Sequence, residues 1–380
     1  DKRYTGWGKV RFEARRLWEK ILDFASTYLQ QKGKTMRRPL CTSIGVLVVG
    51  LTLFCSGGIY MHVWGQENLQ QSSTDYTWVV YWDQDSGLKE LGKVHKNLAG
   101  LSIFAVNFDS HGNFLYPEDW QTFIQKASKP KGYKKYLTVV NDVFLETGAT
   151  LPKDKDVLRL LFKDEQSSLL HAQKLVALIK AGQYDGLEID YEGFWKEPAL
   201  AQAYQRFLVQ LNNEAGKSKV PVRIILEPSV PFNAVTWPEG PEYVVMLYNL
   251  YGNHTTKGGP KTDKSLIAKT ILAMGNLPGE KGVALATGGC TWENGAKGHL
   301  ITETEAVRLQ KFIQGIPVRD TSSHVIHFQY LKGKTRGECW YADGETVRYW
   351  RSLSHSLGIK KIFLWRLGHN NQIQGLFPRD

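Results

Sequence analysis

Between residues 77 and 365 the sequence repeats one pattern eight times, a short apolar run followed in most cases by a stretch with helical spacing. The runs are TWVVYWD (77–83), LSIFAVNFD (101–109), YLTVVND (136–142), DGLEIDYE (185–192), VRIILEP (222–228), YVVMLYN (243–249), GVALATG (282–288) and IKKIFLW (359–365). Helical periodicity marks residues 158–179, 199–211, 265–274, 303–313 and 345–357. Strands alternating with helices bury both faces of a parallel sheet. Eight of them predict an α/β fold, the (β/α)8 barrel. The stretch 324–343 breaks the alternation. Two strand-like runs flank Gly333 and Gly337, which predicts a small β-hairpin inserted before the last helix and strand.

In such a barrel the chemistry sits at the carboxyl ends of the strands. Six runs end at or next to a polar residue: Asp83, Asp109, Asn141, Glu192, Glu227 and Asn249. The fourth run is unlike the others. Side chains alternate faces along a strand, so Leu187, Ile189 and Tyr191 would face the helices while Glu188, Asp190 and Glu192 point into the barrel, where Val, Ile and Leu normally pack. Burying ionised groups costs several kcal/mol each unless they find partners or protons. The alternative, an edge strand with its acids in solvent, fits poorly with a central place among eight strands. Like charges so close cannot all ionise, so Glu192 is expected to have a raised pKa and to hold its proton near neutrality, which suits a general acid. Six tryptophans, Trp82, Trp195, Trp237, Trp292, Trp340 and Trp365, fall at or just beyond strand ends. Flat sugar faces stack on such rings, although some of the six should simply pack.

Composition narrows the class. With 42% hydrophobic and 22% charged residues, the chain is neither a polytopic membrane protein nor a fibre nor wholly disordered. Its net charge of +11 suggests nucleic acid until it is located, because residues 1–39 hold 11 Lys and Arg against 4 Asp and Glu. The remainder is nearly balanced and has no basic stripe, so no nucleic-acid partner is expected. Residues 39–66 carry no charge, and 40–61 (LCTSIGVLVVGLTLFCSGGIYM) has the length of a membrane-spanning helix. The basic flank lies before it, which predicts a single-pass anchor with the amino terminus inside and the barrel outside the cell. A cleaved signal peptide starting near Met36-Arg37-Arg38, leaving a secreted barrel, is the alternative. Residues 7–29 space Val10, Ala14, Leu17, Trp18, Ile21, Ala25 and Leu29 as an amphipathic helix, suited to anionic lipid or to a cytoplasmic or membrane protein partner, or else no more than a positive flank. The expected organisation is a basic segment 1–39, an anchor 40–61, a polar linker 62–75 and a barrel 76–380. Cys290 and Cys339 could pair or remain as two buried thiols. No CxxC or HExxH motif is present, and neither metal nor cofactor is expected.

Asp185-Gly186-Leu187-Glu188-Ile189-Asp190-Tyr191-Glu192 resembles the DGxxxDxE signature of family 18 glycoside hydrolases. Met246-Leu247-Tyr248-Asn249 resembles the family's Met-x-Tyr-Asp on the sixth strand, and Trp365 matches the tryptophan that floors its sugar site. The resemblance spans residues 77–369. The hairpin followed by CWYADGETVRYW and IFLWRLG looks most like the spore-cortex and peptidoglycan N-acetylglucosaminidase branch. It implies a retaining reaction in which the substrate's own 2-acetamido oxygen attacks the anomeric carbon. Glu192 would be the general acid and base, Asp190 would orient the acetamido group, and Tyr248 would hydrogen-bond its oxygen. Trp365, Glu188, Asn249, Met246, Trp82 and Trp292 would complete the binding site. The partner implied is an N-acetylated polysaccharide. Two positions depart from the family, Glu188 and Asn249, where Asp is usual. They leave open a second reading, a catalytically impaired glycan-binding or scaffold module of a membrane complex.

Overall fold

The computed structural model describes residues 74–377. The expected basic segment, the apolar segment 40–61 and the linker as far as residue 73 lie outside the described residues. Among the described residues no helix is long and apolar enough to cross a membrane.

Eight parallel strands close a barrel: β1 (Asp75–Val80), β2 (Gly100–Phe108), β3 (Lys134–Phe144), β4 (Gly186–Asp190), β5 (Val222–Leu226), β6 (Glu242–Met246), β7 (Lys281–Ala286) and β8 (Lys361–Trp365). Each pairs with the next, and β8 returns to β1 through Tyr76↔Phe363. The expected alternation holds. Leu187 and Ile189 of β4 lie in the shell between strands and helices, together with Leu175, Phe207 and Leu211. Val80, Phe104, Val140, Ile225 and Met246 fill the barrel interior. Fully burying such a side chain stabilises the fold by about 1.5–3 kcal/mol.

The helices start where the sequence supplies caps. Asp154, Asp164, Asp263 and Asp343 each accept a hydrogen bond from the backbone N–H three residues on, and Thr302 and Glu305 form a reciprocal capping box. The helix expected over 158–179 is two, Lys155–Leu161 and Glu165–Ala181, because Asp164 caps the second and so ends the first. The connection 227–241 holds no helix among the described residues.

The insertion is larger than a hairpin. Strands Ile326–Lys332 and Thr335–Ala342 turn at Gly333, as expected, but they belong to a five-stranded antiparallel sheet. Its order is His299–Ile301, Gly288–Glu293, Thr335–Ala342, Ile326–Lys332, Ile313–Arg319. A lone hairpin is barely stable in water, and the added strands give it a core of Ala306, Phe328, Tyr330, Cys339 and Tyr341. The helix expected over 303–313 stops at Leu309, before the outer strand. Cys290 and Cys339 are both free and buried.

Candidate active site

The acids of β4 lie at different depths, each in its own environment. Glu188 is deepest and has no exposed surface. Its Oε1 accepts from Trp78 Nε1 (2.6 Å) and Thr138 Oγ1 (2.7 Å), and its Oε2 from Ser102 Oγ (2.8 Å) and Arg223 Nη1 (3.0 Å). Arg223, equally buried, also donates from Nε to Glu242 Oε2 (2.6 Å) and lies over the rings of Tyr76, Tyr136 and Phe363. Gly186 makes room for this layer, since a Cβ there would come within 2.3 Å of the Tyr136 ring. Glu188, expected to bind substrate, is thus closed to solvent beneath the site. What it offers the layer above is a fixed negative charge, held by a cation the sequence did not pair with it.

Asp190, above it, is 8% exposed, and its Oδ1 has no hydrogen-bond partner. Burial pushes its carboxyl well above the ordinary value, Glu192 pushes it further, and Lys153 pulls it back. Its neutral form is favoured.

Glu192 stands two residues past the end of β4, on a loop clamped by the end of β3. Asn141 Oδ1 accepts from the Glu192 N–H (2.8 Å), and Asn141 Nδ2 donates to the Glu192 and Asp154 carbonyls (3.1 Å each). Gly193 then turns the chain with φ +83°, a conformation glycine adopts without strain, and its N–H donates to Glu227 Oε2 (3.1 Å). This turn brings the backbone against Lys153, whose Cβ would lie 3.4 Å from a Cβ at position 193. Lys153 donates from its N–H to Asp142 Oδ1 (2.8 Å) and from Nζ to Glu192 Oε2 (2.6 Å). Burial raises the Glu192 carboxyl, Lys153 opposes the rise, and Glu227 and Asp142 add to it. The direction agrees with the sequence expectation, but the principal cause is burial rather than stacked like charges. For Lys153, burial acts to lower its ammonium, yet Glu192 together with Glu227 and Asp190 more than offsets this and holds it above its usual value.

Tyr248 follows β6 into the same space. Burial pushes its phenol well above the ordinary value, with Asp190 and Glu192 adding to the rise. Its ring lies 6.4 Å from Trp365 at an interplanar angle of 21°. Trp365 ends β8 and is bordered by Trp78, Phe104 and Trp82, with ring centroids 5.5–6.4 Å away. Trp82 is 51% exposed at the rim. Met246 is buried in the interior cluster that includes Tyr248, and Asn249 is exposed just beyond. Trp292 does not join them. It is buried in the inserted sheet and donates from Nε1 to the Thr255 carbonyl (3.0 Å), so it has no free face for a ligand. Trp195 and Trp237 pack on each other, and Trp340 stacks on His327. Of the six tryptophans, Trp82 and Trp365 join the aromatic group beside Tyr248 and keep exposed surface. Lys153 and Asp142 went unnoticed in the sequence. Asp142 ended an apolar run, but nothing local marked Lys153, which reaches the site by tertiary folding alone. Among the described residues no His, Cys, Asp and Glu cluster could hold a metal ion.

The arrangement therefore combines a carboxylate paired with a buried guanidinium, a buried carboxyl whose pKa is raised, a reachable carboxyl that can exchange a proton, a phenol and two aromatic faces. Such a set can hold a polar group against Asp190 and Tyr248 while moving a proton at Glu192.

No family model matches the chain, and no curated protein sequence does. Solved structures do match. The spore cortex-lytic enzyme SleL of Bacillus cereus is similar with a TM-score of 0.65 at 15% identity, over 80% of this chain and 74% of that one. A chitinase from Chromobacterium violaceum gives 0.64 at 13% identity, over 81% of this chain and 100% of that one. The GH18 chitinase of Cycas revoluta, solved with (GlcNAc)3, gives 0.61 at 14% identity, over 79% and 96%. At these identities the likeness is one of fold: the chain has the chitinase-like (β/α)8 barrel that these enzymes share.

Proposed function

We propose that the protein is a glycoside hydrolase acting on β-linked N-acetylglucosamine in a polysaccharide, with cell-wall peptidoglycan as its substrate. The carrying observation is the pair of carboxyls at the end of β4, Asp190 buried with a raised pKa and Glu192 clamped at the mouth. Glu192 protonates the leaving oxygen and afterwards takes a proton from water. Asp190, neutral and with an unpartnered Oδ1, and the Tyr248 phenol hold the substrate's acetamido group, whose oxygen attacks the anomeric carbon with retention. Trp365 supports the sugar ring and Trp82 a neighbouring unit. The Glu188 departure from the family pattern is matched by Arg223, which balances its charge. The likeness in fold to chitinases and a spore cortex-lytic enzyme supports the substrate class. The apolar segment 40–61 with its basic flank would tether the barrel outside the cell, near such a glycan. The test is release of reducing ends by the full chain from N-acetylglucosamine oligomers and from the same oligomers after de-N-acetylation. Activity confined to the acetylated series, and inhibited by a thiazoline mimic of the cyclised acetamido group, is expected. Equal rates on both series would overturn substrate assistance.

A further inference from the structure

Lys153 has no part in the mechanism above, yet its Nζ lies 2.6 Å from the oxygen of the proton donor. Asp142 binds its N–H, its own φ is +53°, and the Gly193 turn packs against its Cβ. The backbone is therefore fixed while the side chain is 44% exposed, so the ammonium can swing without disturbing the fold. The charged and titratable groups facing Glu192 are Lys153 and Glu227, together with Asp142 and Asp190 and the Tyr248 phenol. Lys153 is the cation among them. While paired, it favours an ionised Glu192, the wrong state for protonating a leaving group.

A leaving oxygen must sit within hydrogen-bond reach of Glu192. One bound at Oε2, the oxygen that holds Nζ, lies within two hydrogen-bond lengths of it, at most about 6 Å. We propose that Lys153 is a specificity residue that reads a carboxylate on the leaving sugar, carried next to the cleaved glycosidic oxygen. This deepens the glycosidase reading and rests on it. An anionic glycan draws the ammonium from Glu192 to its own carboxylate. Glu192, now without its cation in a buried site among other acids, takes a proton from solvent, and this is the proton it delivers to the leaving oxygen. A neutral glycan leaves the Lys153–Glu192 pair intact, and the pair keeps opposing protonation of the acid. Two glycan types share the chemistry: those with a lactyl ether beside the linkage, as in peptidoglycan strands, and those with a uronic acid at the leaving position, as in hyaluronan.

The experiment compares kcat/KM of the full chain, Lys153→Met and Lys153→Arg on chitotetraose, on peptide-free peptidoglycan strands and on hyaluronan oligosaccharides. The wild type is expected to favour at least one carboxylated glycan over chitotetraose by tenfold or more, and the preferred arm identifies the source of the carboxylate. Lys153→Met should reduce that ratio to within about threefold and move the alkaline limb of the chitotetraose profile to higher pH, while Lys153→Arg keeps part of the preference. An equal loss on all three glycans, or an unchanged ratio, overturns the proposal and leaves the glycosidase reading standing. No cleavage of any glycan by the wild type overturns both.

Discussion

Replacing Arg223 by Met tests how the barrel tolerates acids in its interior. The guanidinium has no exposed surface, binds Glu188 at 3.0 Å and Glu242 at 2.6 Å, and lies 3.9 Å from the centroid of the Tyr136 ring. Removing one partner of a buried ion pair costs about 3–5 kcal/mol because the other charge stays buried and uncompensated. Two features moderate the loss. Glu188 keeps three donors, from Trp78, Ser102 and Thr138, and Glu242 keeps Lys361 at 2.7 Å. The lost cation–π contacts, worth about 2 kcal/mol when desolvated, act in the other direction. The expected loss is about 4 kcal/mol, read as a lower urea midpoint with little change in slope. Adding Glu188→Gln removes the orphaned charge, and the Ser102 hydroxyl can then accept where it now donates. The double variant should recover about 2 kcal/mol, a coupling typical of residues in one network. A loss below about 1 kcal/mol for the single variant, or strictly additive effects, would refute the claim that Arg223 holds Glu188 as a fixed anion.

Other outcomes follow from the same site. A carboxyl whose folded pKa is raised loses stability as pH climbs from its unfolded value, about 3.9 for Asp, towards the folded one. Asp190→Asn should therefore melt higher than the wild type at pH 7, converge with it below pH 4, and lose about 10²–10³ in kcat; a lower melting temperature at pH 7 would contradict the neutral-carboxyl assignment. Glu303, buried at the start of its helix and pushed up to about 7, follows the same sign, so Glu303→Gln should flatten the fall in thermal stability between about pH 4.3 and 7. Trp365→Ala should raise KM about tenfold, equivalent to about 1.4 kcal/mol of stacking, and an unchanged KM would remove Trp365 from the sugar site.

The barrel was legible because its strands are buried on both faces and read as continuous apolar runs, each bounded by polar turns. The carboxylates of β4 were legible because period-two alternation forces residues 188, 190 and 192 to one side. The inserted sheet was not. Its strand Ile313–Arg319 contains Gly315 and Pro317 and is mostly exposed, and Gly288–Glu293 opens with two glycines, so neither carries an apolar signature. Lys153 was invisible for a different reason. It sits in a loop 39 residues before Glu192, and only the Asn141 clamp and the Gly193 turn bring the two together. Trp292 shows the converse error, since a tryptophan near a strand end can serve packing, and only its hydrogen bond to Thr255 shows which.

The proton at Glu192 carries the proposed chemistry, so Glu192→Gln tests it most directly. The amide keeps the shape, and Asn141 holds the backbone at 192 whatever side chain is there. Assayed on N-acetylglucosamine oligomers beside the wild type, the variant should lose about 10²–10⁴ in kcat while its melting temperature is preserved or rises. Reducing ends released at the wild-type rate by a folded Glu192→Gln would contradict the assignment.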